Sequence, residues 1–226
     1  MTAIINSKPP MASPWRAFWI ACSAVFLVSL DSTMLFAAFD ALRLSFRDTD
    51  MATLSWVLNA YTVVYAAMLI PAGGLADAHG RRRIFQLGLT VFIAASVACG
   101  LAPSVEGLIV ARVLQAVGAA LLTPASMSIV MAAFPVERRA LVISLWGAVG
   151  GLAAAVGPSL GSWVTAQWGW PWAFYINVPV GLWALWQSRS HLQESSNPAQ
   201  RRRVDVVGLM LLMACVGAVA LAIVES

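Results

Sequence analysis

The chain has 226 residues, of which 60% are hydrophobic and 11% are charged, and its mean hydropathy is +0.80. This balance excludes an ordinary soluble domain, whose surface and loops need more charge. The formal net charge is +4, but the basic residues lie at the ends of apolar runs, so nucleic acid is not an expected partner. Cys22, Cys99 and Cys215 lie in separate apolar runs without metal-ligand spacing, so we interpret them as small buried side chains and expect no metal site.

Seven apolar segments each approach the roughly 20 residues that a helix needs to cross the hydrocarbon core of a bilayer. The sequence therefore predicts an all-α membrane protein with four parts. These are a cytoplasmic N-terminus (1–15), a six-helix unit (16–190), a polar cytoplasmic linker (191–204) and a seventh transmembrane helix (205–226), where we interpret the chain as truncated. The predicted spans are 16–39, 51–75, 83–102, 105–128, 139–163, 172–190 and 205–224. Because six spans follow the first, we interpret the first as a retained helix and not as a signal peptide.

The positions of the basic residues predict a cytoplasmic N-terminus, since cytoplasmic segments carry an excess of Lys and Arg. Of the 14 basic residues, this orientation leaves only Arg43 and Arg47 outside, with Arg112 inside a span. The residues predicted on the inside are Lys8, Arg16, Arg81, Arg82, Arg83, Arg138, Arg139, Arg189, Arg201, Arg202 and Arg203. Tryptophans near both ends of the spans are expected to anchor the helices at the headgroups. We therefore expect a multi-pass protein of the plasma membrane.

Two ionisable residues, Asp31 and Arg112, lie well inside predicted spans. Charge within a bilayer is costly, which makes both residues candidates for a functional site. Asp31 lies about 22 Å along the outward-running first span, and Arg112 lies about 20 Å from the inner side on the fourth span. At one depth the two side chains are expected to face each other. They form either a proton-binding pair or a static ion pair that joins the two helices.

The segment from Gly73 to Arg83 is a short predicted cytoplasmic turn. It places Asp77 beside three arginines, so it is either a topology anchor or a latch whose charges pair in only one of two states. The fifth span is rich in helix-packing and helix-bending residues, and either close packing or a flexing helix explains them. These residues are Gly147, Gly150, Gly151, Gly157, Pro158 and Gly161.

Nothing in the sequence predicts an enzyme. His79 and His191 are expected in cytoplasmic loops, away in sequence from any cysteine or paired carboxylate. There is no phosphate-binding loop of the Gly-Lys-Ser type, so ATP is not expected as the direct energy source.

Several segments, taken in chain order, resemble the signatures of the major facilitator superfamily, in its branch of 14-span drug:proton antiporters. Leu30–Thr33 is similar to the first-helix signature, with Asp40 in place of a later proline. The fourth-helix signature matches at Arg112, Gln115 and Gly118, with Ala116 in place of a glycine. The cytoplasmic-loop signature matches at Gly73, Asp77, Gly80, Arg81 and Arg82, with Ala78 where a basic residue is usual.

The fifth helix resembles the antiporter signature of the same branch. Gly157, Pro158 and Gly161 match it, and Ser162 replaces its last glycine. The segment 170–181 is similar to the outer turn and sixth helix of these proteins. The resemblance extends over nearly the whole chain.

The resemblance implies the six-helix N-terminal bundle of a transporter, built from two inverted three-helix repeats, followed by a linker helix. It implies proton-coupled efflux of small drug-like or cationic molecules, with Arg112 in proton coupling. The depth argument given above adds Asp31 as the second proton-coupling residue. The implied partners are a small-molecule substrate, protons, membrane lipid and a second transporter half. No cofactor is implied, because the proton gradient is the driving force. Two alternatives stay open: a proton-coupled solute symporter, and a non-transporting half-bundle that serves as a scaffold or partner subunit.

Overall fold

The computed structural model describes residues 13–194 and a few single helical residues between 208 and 222. The described part is all-α, as predicted. Its helices are α1 (Pro14–Ser45), α2 (Met51–His79), α3 (Arg81–Gly100), α4 (Val105–Ala133), α5 (Val136–Trp168), α6 (Trp172–Tyr175) and α7 (Asn177–His191). Apart from those single residues, the predicted seventh span and the linker from 195 onward lie outside the described residues.

The first five predicted spans correspond to α1–α5, which are long and apolar enough to cross a membrane. The sixth, predicted as one helix over 172–190, consists of the two consecutive helices α6 and α7. Pro179 has no N–H to donate to the carbonyl of Tyr175, which interrupts the helical hydrogen bonds there. Ile176 keeps helical dihedral angles (φ −60°, ψ −24°), so the chain still follows a helical course from Trp172 to His191.

Local sequence signals explain where the helices begin and end. Pro14 occupies the first turn of α1, where no backbone donor is needed. The carboxylate of Asp50 caps α2 by accepting from the backbone N–H of Thr53 at 2.8 Å, and this contact lowers the pKa of Asp50. Gly80 closes α2 with φ +103°, a conformation that favours glycine. The short turn between α2 and α3 follows from that residue.

The packing of the helices repeats itself between the two halves of the bundle. α1 packs along α5 as α4 packs along α2, and α1 and α4 contact each other at the centre. α3 contacts α4 as α7 contacts α1. In the most apolar 18-residue stretch of each helix, 67% of α1 and 61% of α4 is buried. The corresponding shares are 28% for α2 and 17% for α5. The two central helices are therefore the first helix of each half, as expected for inverted three-helix repeats.

The buried apolar side chains form two clusters, one toward each membrane face. Phe18, Phe85 and Phe92 belong to the cluster on the N-terminal side, and Met34 and Phe174 belong to the opposite one. Exposed tryptophans mark both ends of the bundle, as interfacial anchors do. They are Trp15, Trp19, Trp183 and Trp186 on the N-terminal side, and Trp163, Trp168 and Trp172 on the other.

Candidate functional site

Asp31 on α1 and Arg112 on α4 form an ion pair inside the bundle. The Nη1 atom of Arg112 lies 2.6 Å from Oδ2 of Asp31, and each side chain is only 1% exposed. Two charges are stable at such a place only when they are paired and their remaining hydrogen-bonding positions are filled. The neighbours of the pair therefore decide what the site can do.

The second carboxylate oxygen of Asp31 accepts two further hydrogen bonds. Nε2 of Gln115 donates to Oδ1 of Asp31 at 2.8 Å, and Nδ2 of Asn177 donates to the same atom at 2.7 Å. Gln115 and Asn177 are fully buried. With Arg112 included, three side chains from α4 and α7 donate to the one carboxylate of Asp31.

The guanidinium of Arg112 is held from several sides. Its Nη1 also donates to Oε1 of Gln115 at 2.6 Å, and its Nε donates to the backbone carbonyl of Val57 on α2 at 3.2 Å. The ring of Tyr61, on α2 as well, lies 4.0 Å from the guanidinium carbon. The ring of Phe174 on α6 lies 5.8 Å from the same atom. These aromatic faces stabilise a cation that has left water.

Gln115 connects the ion pair to α3. Its Nε2 donates to Oγ of Ser96 at 2.9 Å, and Ser96 in turn donates to the carbonyl of Phe92 at 2.8 Å. Sγ of Cys99 donates to Oε1 of Gln115 at 3.6 Å. The network therefore joins helices from both repeats through uncharged side chains as well as charged ones.

The network can accommodate a proton on Asp31. A protonated carboxyl group donates one hydrogen bond, so it needs an acceptor nearby. Oδ1 of Asn177 is buried and has no hydrogen-bond partner among the described residues. A rotation of that amide would present an oxygen to Asp31 where it now presents an N–H. The same two groups can thus form a hydrogen bond in either protonation state.

The residues of the predicted cytoplasmic turn lie apart from this network and contact several helix ends. Arg81 pairs with Asp77 at 3.3 Å and donates to the carbonyl of Ser128 on α4 at 3.4 Å. Arg82 donates to the carbonyl of Arg189 on α7 at 2.7 Å. At Gly73, α2 lies close to Pro124 of α4. A Cβ added to Gly73 would lie 3.7 Å from the Cβ of Pro124. Gly80 ends α2, as described above.

Glu194, which the sequence analysis did not single out, completes this turn. Its Oε1 accepts from the backbone N–H of Arg82 at 3.3 Å, and its Oε2 lies 3.7 Å from Nε of Arg83. A carboxylate at the N-terminus of α3 is favoured by the unpaired N–H groups and the dipole of that helix. All these contacts fall within the described bundle and tie α2, α3, α4 and α7 together at one face.

The signature glycines lie at helix crossings. A Cβ added to Gly161 would come within 2.8 Å of the carbonyl oxygen of Met34 on α1, and one added to Gly157 would collide with Thr33. A Cβ on Gly118 would lie 2.6 Å from the backbone nitrogen of Phe92 on α3. Pro158 faces away from these contacts and is exposed. Close backbone packing therefore accounts for the glycines of α4 and α5 that match the signatures.

Comparisons with known proteins show the family to which the chain belongs. The sequence model described as Major Facilitator Superfamily matches residues 21–225. An uncharacterised MFS-type transporter of Mycobacterium tuberculosis (strain H37Rv) is 40% identical over 173 residues, which cover 76% of this chain and 30% of that protein. The multidrug resistance protein Stp of M. tuberculosis (strain CDC 1551) is 36% identical over 203 residues, covering 89% of this chain and 37% of Stp.

A structural comparison gives the same fold. A crystal structure of a D-xylose-proton symporter matches with a TM-score of 0.68 at 14% identity, covering 90% of this chain and 53% of that chain. The chain belongs to the major facilitator superfamily; it is a multi-pass membrane protein of a transporter family and not an enzyme. It spans about a third of the length of the two curated relatives, 30% and 37%.

Proposed function

We propose that this chain is the N-terminal half of a proton-coupled exporter of small drug-like or cationic molecules. The observation that carries the proposal is the ion pair between Asp31 and Arg112, which is 1% exposed and lies between the two central helices. Ionisable groups inside a membrane protein are costly and mark proton or substrate pathways. A static ion pair that only joins α1 to α4 is the competing explanation.

The proposed coupling step is proton exchange at the carboxylate of Asp31. When Asp31 is ionised, it holds Arg112 and the two amide donors of Gln115 and Asn177. When it binds a proton, the charge that pairs with Arg112 is lost, and the contact between α1 and α4 weakens. Loss of that contact favours a different arrangement of the two helices, which is how a proton can be linked to a conformational change.

The position of the network supports separate sites for the proton and the substrate. Asp31 and Arg112 are already buried by the described residues of this one bundle. The substrate cavity would therefore be bounded by the more exposed faces of this bundle and by the second half. Substrate would act on the network through movement of α1 and α4, without having to contact Asp31.

The direction of transport and the substrate class rest on the relatives and on α5. Stp, which is 36% identical, is described as a multidrug resistance protein. The matching glycines of α5 pack against α1, the helix that carries Asp31, so α5 is placed to respond when the coupling helix moves. Both observations favour export of a varied set of small molecules over symport of a polar solute.

The remaining parts of the proposal concern the setting of the bundle. We place the six-helix unit at 16–190 in the plasma membrane with its N-terminus in the cytoplasm, on the arginine distribution given above. The turn of Asp77, Arg81 and Arg82 would act there as a latch that holds one conformation. A second half, beyond the residues described, would complete the cavity. The proton gradient would drive transport without a cofactor.

The test compares two aspartates of the same helix. The complete reading frame that contains this chain would be expressed in bacteria lacking their own drug exporters, and proton-driven efflux of the lipophilic cation ethidium would be measured. Asp31→Asn should abolish efflux, whereas Asp40→Asn, at an exposed position of α1, should leave it near the wild-type rate. Equal efflux by wild type and Asp31→Asn would support the static ion pair. Proton-driven uptake of a solute, with no efflux, would support symport.

A further inference from the structure

A groove opens on the outside of the bundle, at the membrane face that holds the N-terminus. It lies between α1, α5 and α7 and has a volume of about 670 Å³. Its lining includes Arg16, Trp19 and Phe26 of α1 and Trp183 and His191 of α7. None of these residues belongs to the Asp31–Arg112 network, so the groove has no part in the proposed proton coupling.

The length of the groove corresponds to one leaflet of a bilayer. Along α1 its lining runs from Arg16 to Phe26, and along α7 from His191 back to Val180. At 1.5 Å per residue each wall is about 15 Å long, which is about half of the roughly 30 Å hydrocarbon core. The groove therefore runs from the headgroup region toward the middle of the membrane, the path that one acyl chain takes.

The chemistry changes along the groove in the same direction. At the N-terminal face it is lined by polar groups of Arg16, Gln187 and His191, and no acidic residue is among the described lining residues. The guanidinium of Arg16 makes no ion pair within the described part of the chain. Toward the membrane centre the walls are apolar, with Phe26 and Val149. Trp19 and Trp183 remain 58% and 44% exposed between the two ends.

We propose that this groove binds one anionic phospholipid of the adjoining leaflet. The headgroup phosphate would lie at Arg16, and an acyl chain would lie along the walls formed by Trp19, Trp183 and Phe26. Basic pockets between transmembrane helices bind anionic headgroups in this way, and tryptophan favours the boundary between headgroup and hydrocarbon. The charge of Arg16 makes the proposal specific for an anionic lipid, because a neutral lipid would fill the apolar part equally well.

The experiment is a lipid titration of the purified full chain in neutral detergent, read by native mass spectrometry. Phosphatidylglycerol and phosphatidylcholine with identical acyl chains are the two probes. Each test variant has a control on the same membrane face outside the groove. Arg16→Gln is compared with Arg189→Gln, and Trp183→Ala with Trp186→Ala, which is a more exposed tryptophan that does not line the groove.

We expect wild type to bind one phosphatidylglycerol more tightly than phosphatidylcholine. Arg16→Gln should weaken phosphatidylglycerol binding about 5-fold, the effect of one basic residue at an anionic membrane surface, and leave phosphatidylcholine unchanged. Trp183→Ala should weaken both lipids, and both control variants should bind like wild type. Equal binding of the two lipids, or equal effects of Arg16→Gln and Arg189→Gln, would overturn the proposal. So would an absence of lipid binding that is relieved by removing residues 195–226, since the chain itself would then fill the groove.

Discussion

At the scale of single residues, the site is defined by how completely the charged groups of Asp31 and Arg112 are provided with hydrogen-bond and ion-pair partners. Oδ1 and Oδ2 of Asp31 accept from Gln115, Asn177 and Arg112. The guanidinium of Arg112 lies between a backbone carbonyl and the ring of Tyr61. A buried charge that loses its partner is much more costly than a pair that is replaced as a whole. Stability measurements can therefore reveal how strongly the two residues depend on each other.

We predict that Arg112→Leu lowers the free energy of unfolding by about 3–5 kcal/mol, because it leaves the Asp31 carboxylate buried without a cation. The double variant Asp31→Asn/Arg112→Leu should lose clearly less than the sum of the two single variants. Denaturant unfolding of the purified chain in detergent, followed by tryptophan fluorescence, measures these values. Arg43→Leu, at an exposed position of α1, is the control and should have little effect. Strict additivity would show that the two charges act independently.

At the scale of helices, α1 and α5 cross so closely that glycine is required at the contact. A Cβ added to Gly161 would lie 2.8 Å from the backbone oxygen of Met34. Because that neighbour is a backbone atom, no side-chain movement can relieve the clash. A Cβ built on Gly151, ten residues earlier on α5, would meet no atom of another helix within 4 Å in the described part of the chain. The same substitution at these two positions of one helix should therefore have opposite consequences.

We expect Gly161→Ala to lower the free energy of unfolding by about 1–3 kcal/mol, the usual cost of overpacking. Gly151→Ala should be neutral or slightly stabilising, because alanine is the better helix former. Unfolding in mixed micelles with a denaturing detergent would compare the two variants with wild type. If both substitutions had the same effect, α5 would not be packed against α1 as described.

The elements also show what the sequence could and could not predict. Asp31 and Arg112 were expected to face each other, because charged residues are rare in apolar spans and the helical rise fixes their depth. In the structure, Nη1 of Arg112 lies 2.6 Å from Oδ2 of Asp31. The roles of Ser96 and Asn177 were not predicted, since uncharged polar side chains inside such helices often bond only to their own backbone. Ser96 does that as well, by donating to Phe92.

Two further differences also have physical reasons. The sixth span was predicted as one helix, although Pro179 interrupts its hydrogen bonds at Tyr175. Hydropathy cannot detect that interruption, because both helices are apolar. Glu194 was not singled out because it lies in a polar segment with no pattern, and only the packing of α7 brings it to the start of α3. The first difference therefore comes from a local interruption by proline, and the second from a contact between residues distant in sequence.

At the scale of the whole molecule, the proposed function makes this bundle only one wall of a transport cavity. The chain spans 30% and 37% of the length of the two curated relatives described above. Transport by rocking of two halves requires both of them. We therefore predict that these 226 residues alone do not move substrate.

Purified chain in sealed vesicles tests that prediction. With an imposed pH gradient, ethidium should distribute as in vesicles that lack protein. The complete reading frame, reconstituted in the same lipid, should accumulate ethidium in proportion to the gradient. Accumulation by these residues alone would refute the prediction and show that the bundle transports without a second half, as a monomer or by self-association.

The proposed function depends above all on the proton step at Asp31, and infrared difference spectroscopy of the purified chain in lipid can detect that step. Acidification should produce a carboxylic acid C=O band, at the expense of a carboxylate band, that is absent from Asp31→Asn and retained in Asp40→Asn. That result would show that Asp31 binds a proton inside the folded bundle. Identical difference spectra for wild type and Asp31→Asn, across the whole pH range in which the protein stays folded, would contradict the account and leave a permanent ion pair between α1 and α4.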